Sequence, residues 1–272
     1  MALFAQTATD SRPPAVAGSF YPGRAADLTR AVEAFIEGAR AGACANVRAI
    51  VAPHAGYVYS GAVAGEAFAA ARSLGPMVKR TVVIGPSHFV SFRGIALPAS
   101  RSFATPLGEM PVDGAALALI ADLPRVVTDD APHAPDHALE VELPFLQVLF
   151  GALPIVPLIV GTATPEDVAE VLAALWDERT LLVVSSDLSH YHDHETACRL
   201  DRATAEAIEA FDAGTLGPGE ACGHLALGGM LIEARRRGLH IARLDLRTSG
   251  DTAGDRRSVV GYGAWAVLEA TR

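Results

Sequence analysis

The sequence predicts an α/β fold, a three-layer sandwich whose central sheet is largely parallel or mixed and carries helices on both faces. Three observations predict it. Short, uninterrupted apolar runs at residues 48–53 (RAIVAP), 80–86 (RTVVIGP) and 180–185 (TLLVVS) read as strands buried on both faces. Segments of helical periodicity separate them. Strand then helix, repeated, calls for a sheet covered on both sides.

Residues 13–23 (PPAVAGSFYPG) are punctuated by proline and glycine and read as irregular. Leu28, Val32, Phe35 and Ile36 then recur at helical spacing. Residues 48–53 form a strand that ends on His54, and a glycine-containing turn leads into a small-residue helix through Val63, Ala67, Phe68 and Ala71. Residues 80–86 form the next strand, just before Ser87 and His88, and residues 94–97 (GIAL) add a short one. Residues 136–150 read as an apolar helix that Pro144 kinks or breaks, because proline removes a backbone donor. Residues 154–160 (PIVPLIV) are a strand. The clearest helix comes next, with Val168, Val171, Leu172, Leu175 and Trp176 on one face. Thr164 caps it, Pro165 suits its first position and Asp167 completes an acidic first turn. Residues 180–185 run into Ser186, Asp187 and His190. Helices over about 195–211 and 223–237, then strands near 241–247 and 258–268, finish the chain.

The 272 residues, 50% of them hydrophobic, suffice for a large core. No Ser-, Gly- or Pro-rich linker divides them, so residues 1–272 are expected to form a single domain. The net charge of -9 disfavours nucleic acid and anionic membrane as partners. No apolar run approaches the ~18 residues of a membrane span. The opening MALFAQTATD lacks a basic segment followed by an apolar core, which argues against a signal peptide. Cys44, Cys198 and Cys222 are too few and too scattered for a disulfide framework, so a reducing, cytoplasmic location is expected. No GxGxxG turn or GxxxxGK[ST] loop marks a nucleotide-phosphate cradle.

Three strands end in chemically capable residues: His54 after AIVAP, His88 after VVIGPS, and Asp187 with His190 after LLVVSS. In open parallel sheets, ligand sites lie outside the carboxyl ends of the strands, so these groups should meet in one crevice. His54 and His88 then make a half-site for a transition metal. A carboxylate third ligand would suit non-haem iron, and a cysteine would favour softer ions such as Cu(I) or zinc. Cys222 precedes Gly223 at the expected start of a helix, where the dipole favours a thiolate. Its ordinary reading is an inert small core residue. The Asp187–His190 spacing lets the carboxylate orient the imidazole, as for a general base or for a structural hydrogen bond. His192 and His194 read as surface loop residues. His137 either reaches the pocket or belongs to a solvated acidic turn with Asp136 and Glu140. Tyr57, Tyr59, Ser60, Ser87, Phe20 and Tyr21 are expected along the pocket wall, with aromatic packing the ordinary role of Phe20 and Tyr21.

Six blocks carry a resemblance: RPPAVAGSFYPG (12–23), APHAGYVYSG (52–61), VVIGPSHF (82–89), DHALEVELPFLQ (136–147), SSDLSH (185–190) and ACGHLALGG (221–229). Together they resemble the Memo family, known in prokaryotes as AmmeMemoRadiSam system protein B, over nearly the whole chain. The resemblance implies a fold shared with class III extradiol ring-cleavage dioxygenases. It implies metal ligands at His54, His88 and Cys222, the last where the dioxygenases use a glutamate, and a transition metal, iron or copper with zinc as the alternative. It matches Asp187 and His190 to pocket residues, the histidine's dioxygenase counterpart acting as acid/base. The prokaryotic name reflects neighbouring genes for AMMECR-type and radical-SAM proteins, a functional link without a defined reaction. The expectation is a metal-dependent, dioxygenase-like oxidoreductase acting on an unidentified small-molecule or peptide ligand. The alternatives are a non-enzymatic metal carrier or peptide-binding module using the same pocket, and a hydrolase with Cys222 as nucleophile.

Overall fold

Strands that are apolar on both faces need cover on both, and this chain supplies it. The structure is a computed structural model describing residues 10–269. The signal-peptide reading of the opening residues falls mostly on 1–9, outside the described residues. Among the described residues one nine-stranded sheet dominates. Its path runs His190–His192, Val259–Leu268, Val47–Ala52, Thr180–Ser185, Arg80–Pro86, Ile155–Val160, Ile95–Leu97 and Val126–Thr128. The strand His240–Thr248 pairs antiparallel with Val259–Leu268. The four strands from Val47–Ala52 to Ile155–Val160 are mutually parallel, and their flanking neighbours join antiparallel, so the sheet is mixed.

Side chains of a strand alternate between the two faces. Ala49, Val51, Val82, Ile84, Leu182 and Val184 therefore pack on one side, under Val168, Leu172, Leu227 and Met230. Ile50, Ala52, Val83, Leu181 and Val183 face the other way, under Leu28, Val32, Phe68 and Phe145. The helices supplying these residues are Pro165–Leu175 and His224–Arg236 on the first face, and Ala25–Glu37, Tyr57–Ala71 and Leu143–Phe150 on the second. This is the expected three-layer sandwich.

Thr164 caps its helix as expected: its hydroxyl accepts from the Asp167 N–H at 3.1 Å, and Asp167 returns the bond at 2.8 Å. The segment 136–150, expected as a helix that Pro144 kinks or breaks, is divided and shorter than expected. A 3-10 turn at Glu140–Glu142 precedes the helix Leu143–Phe150, and Pro144 occupies its first turn, where no donor is lost. Several short elements lie beyond those the sequence predicts: a small sheet of Ser11–Arg12, Ser102–Thr105 and Gly108–Pro111, and the helix Gly114–Ile120. No helix among the described residues is long and apolar enough to cross a membrane.

Strand order gathers the chemically capable residues. Thr180–Ser185 lies between Val47–Ala52 and Arg80–Pro86, and all three run the same way. Their carboxyl ends deliver His54, Asp187 and His88 to one edge of the sheet.

Candidate metal centre

His54 is buried, with 1% of its surface exposed, and is held from two directions. Its backbone N–H donates to Asp187 Oδ1 at 2.8 Å. Its ring Nδ1 lies 2.9 Å from Ser185 Oγ, and its Nε2 lies 3.2 Å from Cys222 Sγ. Burial, with the neighbouring His88, His137 and His190, holds its pKa well below the usual histidine range. The ring is neutral, which is the state that ligates metal.

His88 is fixed by Asp136. The His88 backbone N–H donates to Asp136 Oδ2 at 2.6 Å, and the ring Nδ1 sits 3.0 Å from Oδ1. Burial alone would raise the Asp136 pKa, but the bonds from His88 outweigh it and the carboxyl ends below its usual value. An imidazole that gives Nδ1–H to a carboxylate presents Nε2 outward, the arrangement that orients metal-binding histidines. The His54 and His88 rings stand edge to face, 5.1 Å between centroids.

Cys222 arrives from the far end of the chain. Gly223 N–H donates to Ser186 Oγ at 2.9 Å, and a Cβ on Gly223 would lie 2.7 Å from Ser186 Cβ. Only glycine allows that approach, which seats the start of the His224–Arg236 helix against the end of Thr180–Ser185. The Asp187 N–H then donates to Cys222 Sγ at 3.3 Å. The expected thiolate preference of the helix end does not prevail. Burial first, and Asp187 second, push the Cys222 thiol up to about 12. Without metal the thiol therefore keeps its proton.

Ligand atoms of His54, His88 and Cys222 all lie within 4.8 Å of one another, a group able to hold a metal ion. The donor set fits such an ion: two imidazoles with their second nitrogens occupied, and one sulfur. Two other groups among the described residues have the right residue types. His88, Asp136 and His137 share His88 with the first group, and Asp136 is already committed to His88. His194, Cys198 and Asp251 lie apart, with Asp251 bonded to His194 at 2.7 Å and to Arg256 at 3.1 Å. His194 thus opens a helix and pairs with Asp251, and His192, though exposed, ends the strand His190–His192, so neither sits free in a loop as expected.

The histidines open onto a cavity of about 700 Å³. Phe20, His137, Asp187 and His190 line it, and so does Tyr59, as expected; Tyr191 and Tyr262 line it too, and the sequence pattern did not place them there. His137 stacks on His88 at 4.6 Å and meets Phe20 at 4.7 Å. Burial and then His88 bring its pKa down to about 4. Burial also lowers that of His190. Burial pushes the Asp187 carboxyl up to about 7 against the bond from His54.

Tyr57, Ser87, Ser60 and Tyr21 are placed elsewhere: Ser60 donates to Ala55 O at 2.9 Å, and the buried Tyr21 gives its hydroxyl to Glu140. Tyr57 points into the core against Phe145, 5.2 Å between centroids, and donates its hydroxyl to Val141 O at 2.7 Å. Ser87 donates to Val90 O at 2.7 Å and shapes its turn. Among the described hydrogen bonds none joins Asp187 to His190; Asp187 grips the His54 backbone instead. Asp136 and Ser185 act on the two histidines from 48 and 131 residues away, so no local pattern could have marked them.

Sequence comparison bears on this geometry. The family model described as Memo-like protein matches residues 12–266. A MEMO1 family protein of Thermotoga maritima is 35% identical over 274 residues, covering 92% of this chain and 97% of that protein. MEMO1 family proteins of Nitrosopumilus maritimus and Archaeoglobus fulgidus are each 34% identical, over 93% and 92% of this chain and 98% and 97% of their own length. A solved structure, an uncharacterized protein JW3007 from Escherichia coli K12, aligns at a TM-score of 0.47 and 17% identity, over 80% of this chain and 99% of that one.

Proposed function

The chain belongs to the Memo family, and from that membership and its His54–His88–Cys222 group we propose that its pocket binds iron or copper and works as an oxidoreductase on a small molecule or peptide. One observation carries the reading: His54 Nε2 faces Cys222 Sγ at 3.2 Å, with His88 beside them, where the sheet opens onto the cavity. Three protein donors leave coordination positions for a ligand. Iron or copper, when bound, supplies Lewis acidity and one-electron chemistry.

The chain's own residues do the rest. Phe20, His137 and Tyr59 offer flat faces to an aromatic or apolar ligand. His190, kept neutral by burial, can take a proton from a ligand in the cavity. Asp187 holds the His54 backbone and so keeps the ring aimed at Cys222. Anaerobically purified protein should carry stoichiometric metal with the spectroscopic signature of a bound thiolate. A His54→Ala/His88→Ala double variant should fold and lose that metal; unchanged metal content would refute the site.

A second reading has one observation in its favour. The Cys222–His54 distance is also that of a thiol and its general base, as in a cysteine hydrolase. The thiol's pKa of about 12 opposes it. Turnover insensitive to chelators but abolished by thiol alkylation would favour the hydrolase.

A further inference from the structure

Ser185 Oγ has three polar neighbours: His54 Nδ1 at 2.9 Å, Ala138 O at 2.7 Å and Glu142 Oε1 at 2.8 Å. A hydroxyl has one proton to give and two lone pairs to receive with. The Ala138 carbonyl can only accept, so it claims the Ser185 proton. Both remaining neighbours must then donate to Ser185: His54 through Nδ1–H, and Glu142 through a carboxylic O–H.

Glu142 is built for that form. It is fully buried, at 0% exposure, and its Oε2 has no partner among the described residues. An ionised carboxylate there would be an uncompensated buried charge. Glu140, two residues earlier and equally buried, shows the contrast. It pairs with Arg12, accepts from Ala15 N–H at 2.7 Å and Val16 N–H at 3.0 Å, and takes the Tyr21 hydroxyl. One short turn thus holds an ionised glutamate clasped by donors and a neutral one that donates.

We propose that Ser185, backed by a neutral Glu142, is the positioning residue that keeps the proton of His54 on Nδ1 and its Nε2 lone pair toward Cys222. The proposal deepens the metal reading of His54 and rests on it for its consequence. With Glu142 donating from one side, the Ser185 hydroxyl can point only at Ala138 or at His54, and turning to His54 would strand the buried Ala138 carbonyl. The metal-binding tautomer is therefore fixed before any metal arrives.

The test uses full-length protein labelled with 15N at histidine, read first without metal. His54 should show a protonated Nδ1 and an unprotonated Nε2. Ser185→Ala should let the proton move to Nε2 and weaken Co(II) binding, followed through the thiolate charge-transfer band, by about ten- to a hundredfold. Glu142→Gln offers Ser185 a neutral N–H donor of the same shape and should match the parent protein in both readouts. A protonated Nε2 in the parent protein would overturn the proposal, as would Ser185→Ala leaving tautomer and Co(II) affinity unchanged. Glu142→Gln behaving like Ser185→Ala would overturn the neutral Glu142. If the tautomers follow the proposal but Co(II) never binds, the positioning stands and the metal reading fails.

Discussion

Cys222 enters the proposed site as a thiol, and that sets the pH dependence of loading. A metal binds the thiolate, so loading must expel the proton that burial retains up to about pH 12. His54 is neutral well below pH 6.5 and releases nothing near neutrality. Asp187, shifted up to about 7, is partly protonated below that pH, and a nearby cation favours its ionised form. Affinity for Zn(II) should therefore rise about tenfold per pH unit above pH 7, one proton being released, and more steeply below it. Calorimetry in buffers of different ionisation enthalpy counts those protons directly; a flat profile between pH 6 and 8 would remove Cys222 from the site. At this scale the two histidines were legible because each ends a strand whose apolar pattern is plain. Cys222 was legible only by resemblance, since nothing local distinguishes it from a core cysteine. Asp136 and Ser185 were not, because their roles exist only once distant segments meet.

Elements differ in how much of their stability is local. The helix Pro165–Leu175 was the clearest in the sequence because its cap, its first-turn proline and its apolar face all agree. Thr164→Ala removes the hydroxyl that satisfies the Asp167 N–H, and should cost about 1 kcal/mol in chemical denaturation. The helix Tyr57–Ala71 depends on a neighbour instead. A Cβ on Gly65 would lie 2.5 Å from Phe35 O, in the backbone of the helix Ala25–Glu37. Backbone cannot turn aside as a flexible side chain does, so Gly65→Ala should destabilise by about 1–3 kcal/mol despite alanine's better helix propensity. A stabilised Gly65→Ala protein would show that the helices separate freely. The same distinction explains what the sequence hid. The strands Ser102–Thr105, Gly108–Pro111 and Val126–Thr128 are only three or four residues long, so no long period marks them. The division before Leu143 was legible from Pro144, although the change there is from a 3-10 turn to an α-helix and not a reversal of the chain.

At the scale of the whole molecule, residues 12–23 behave as a strap tied to the far side of the site. Arg12 donates to His133 O at 2.9 Å and Asp136 O at 2.6 Å and pairs with Glu140. Phe20 O accepts from Tyr57 N–H, at 2.7 Å, and that places the Phe20 ring on the cavity wall. The side chains of Arg12 and Glu140 are only 4% and 0% exposed. Removing one partner of such a pair leaves the other charge buried and unpaired, which costs about 3–5 kcal/mol. Glu140→Ala should therefore lower stability by about that much in urea titration. Asp27→Ala, which breaks the exposed pairs with Arg24 and Arg30, should cost no more than about 1 kcal/mol. Hydrogen exchange separates local from general weakening. In Glu140→Ala the amides of residues 15–21 and that of Tyr57 should lose protection before those of the central strand Thr180–Ser185. If all exchange together, the strap is part of the cooperative core, and Phe20 forms a fixed wall of the cavity that cannot be loosened alone.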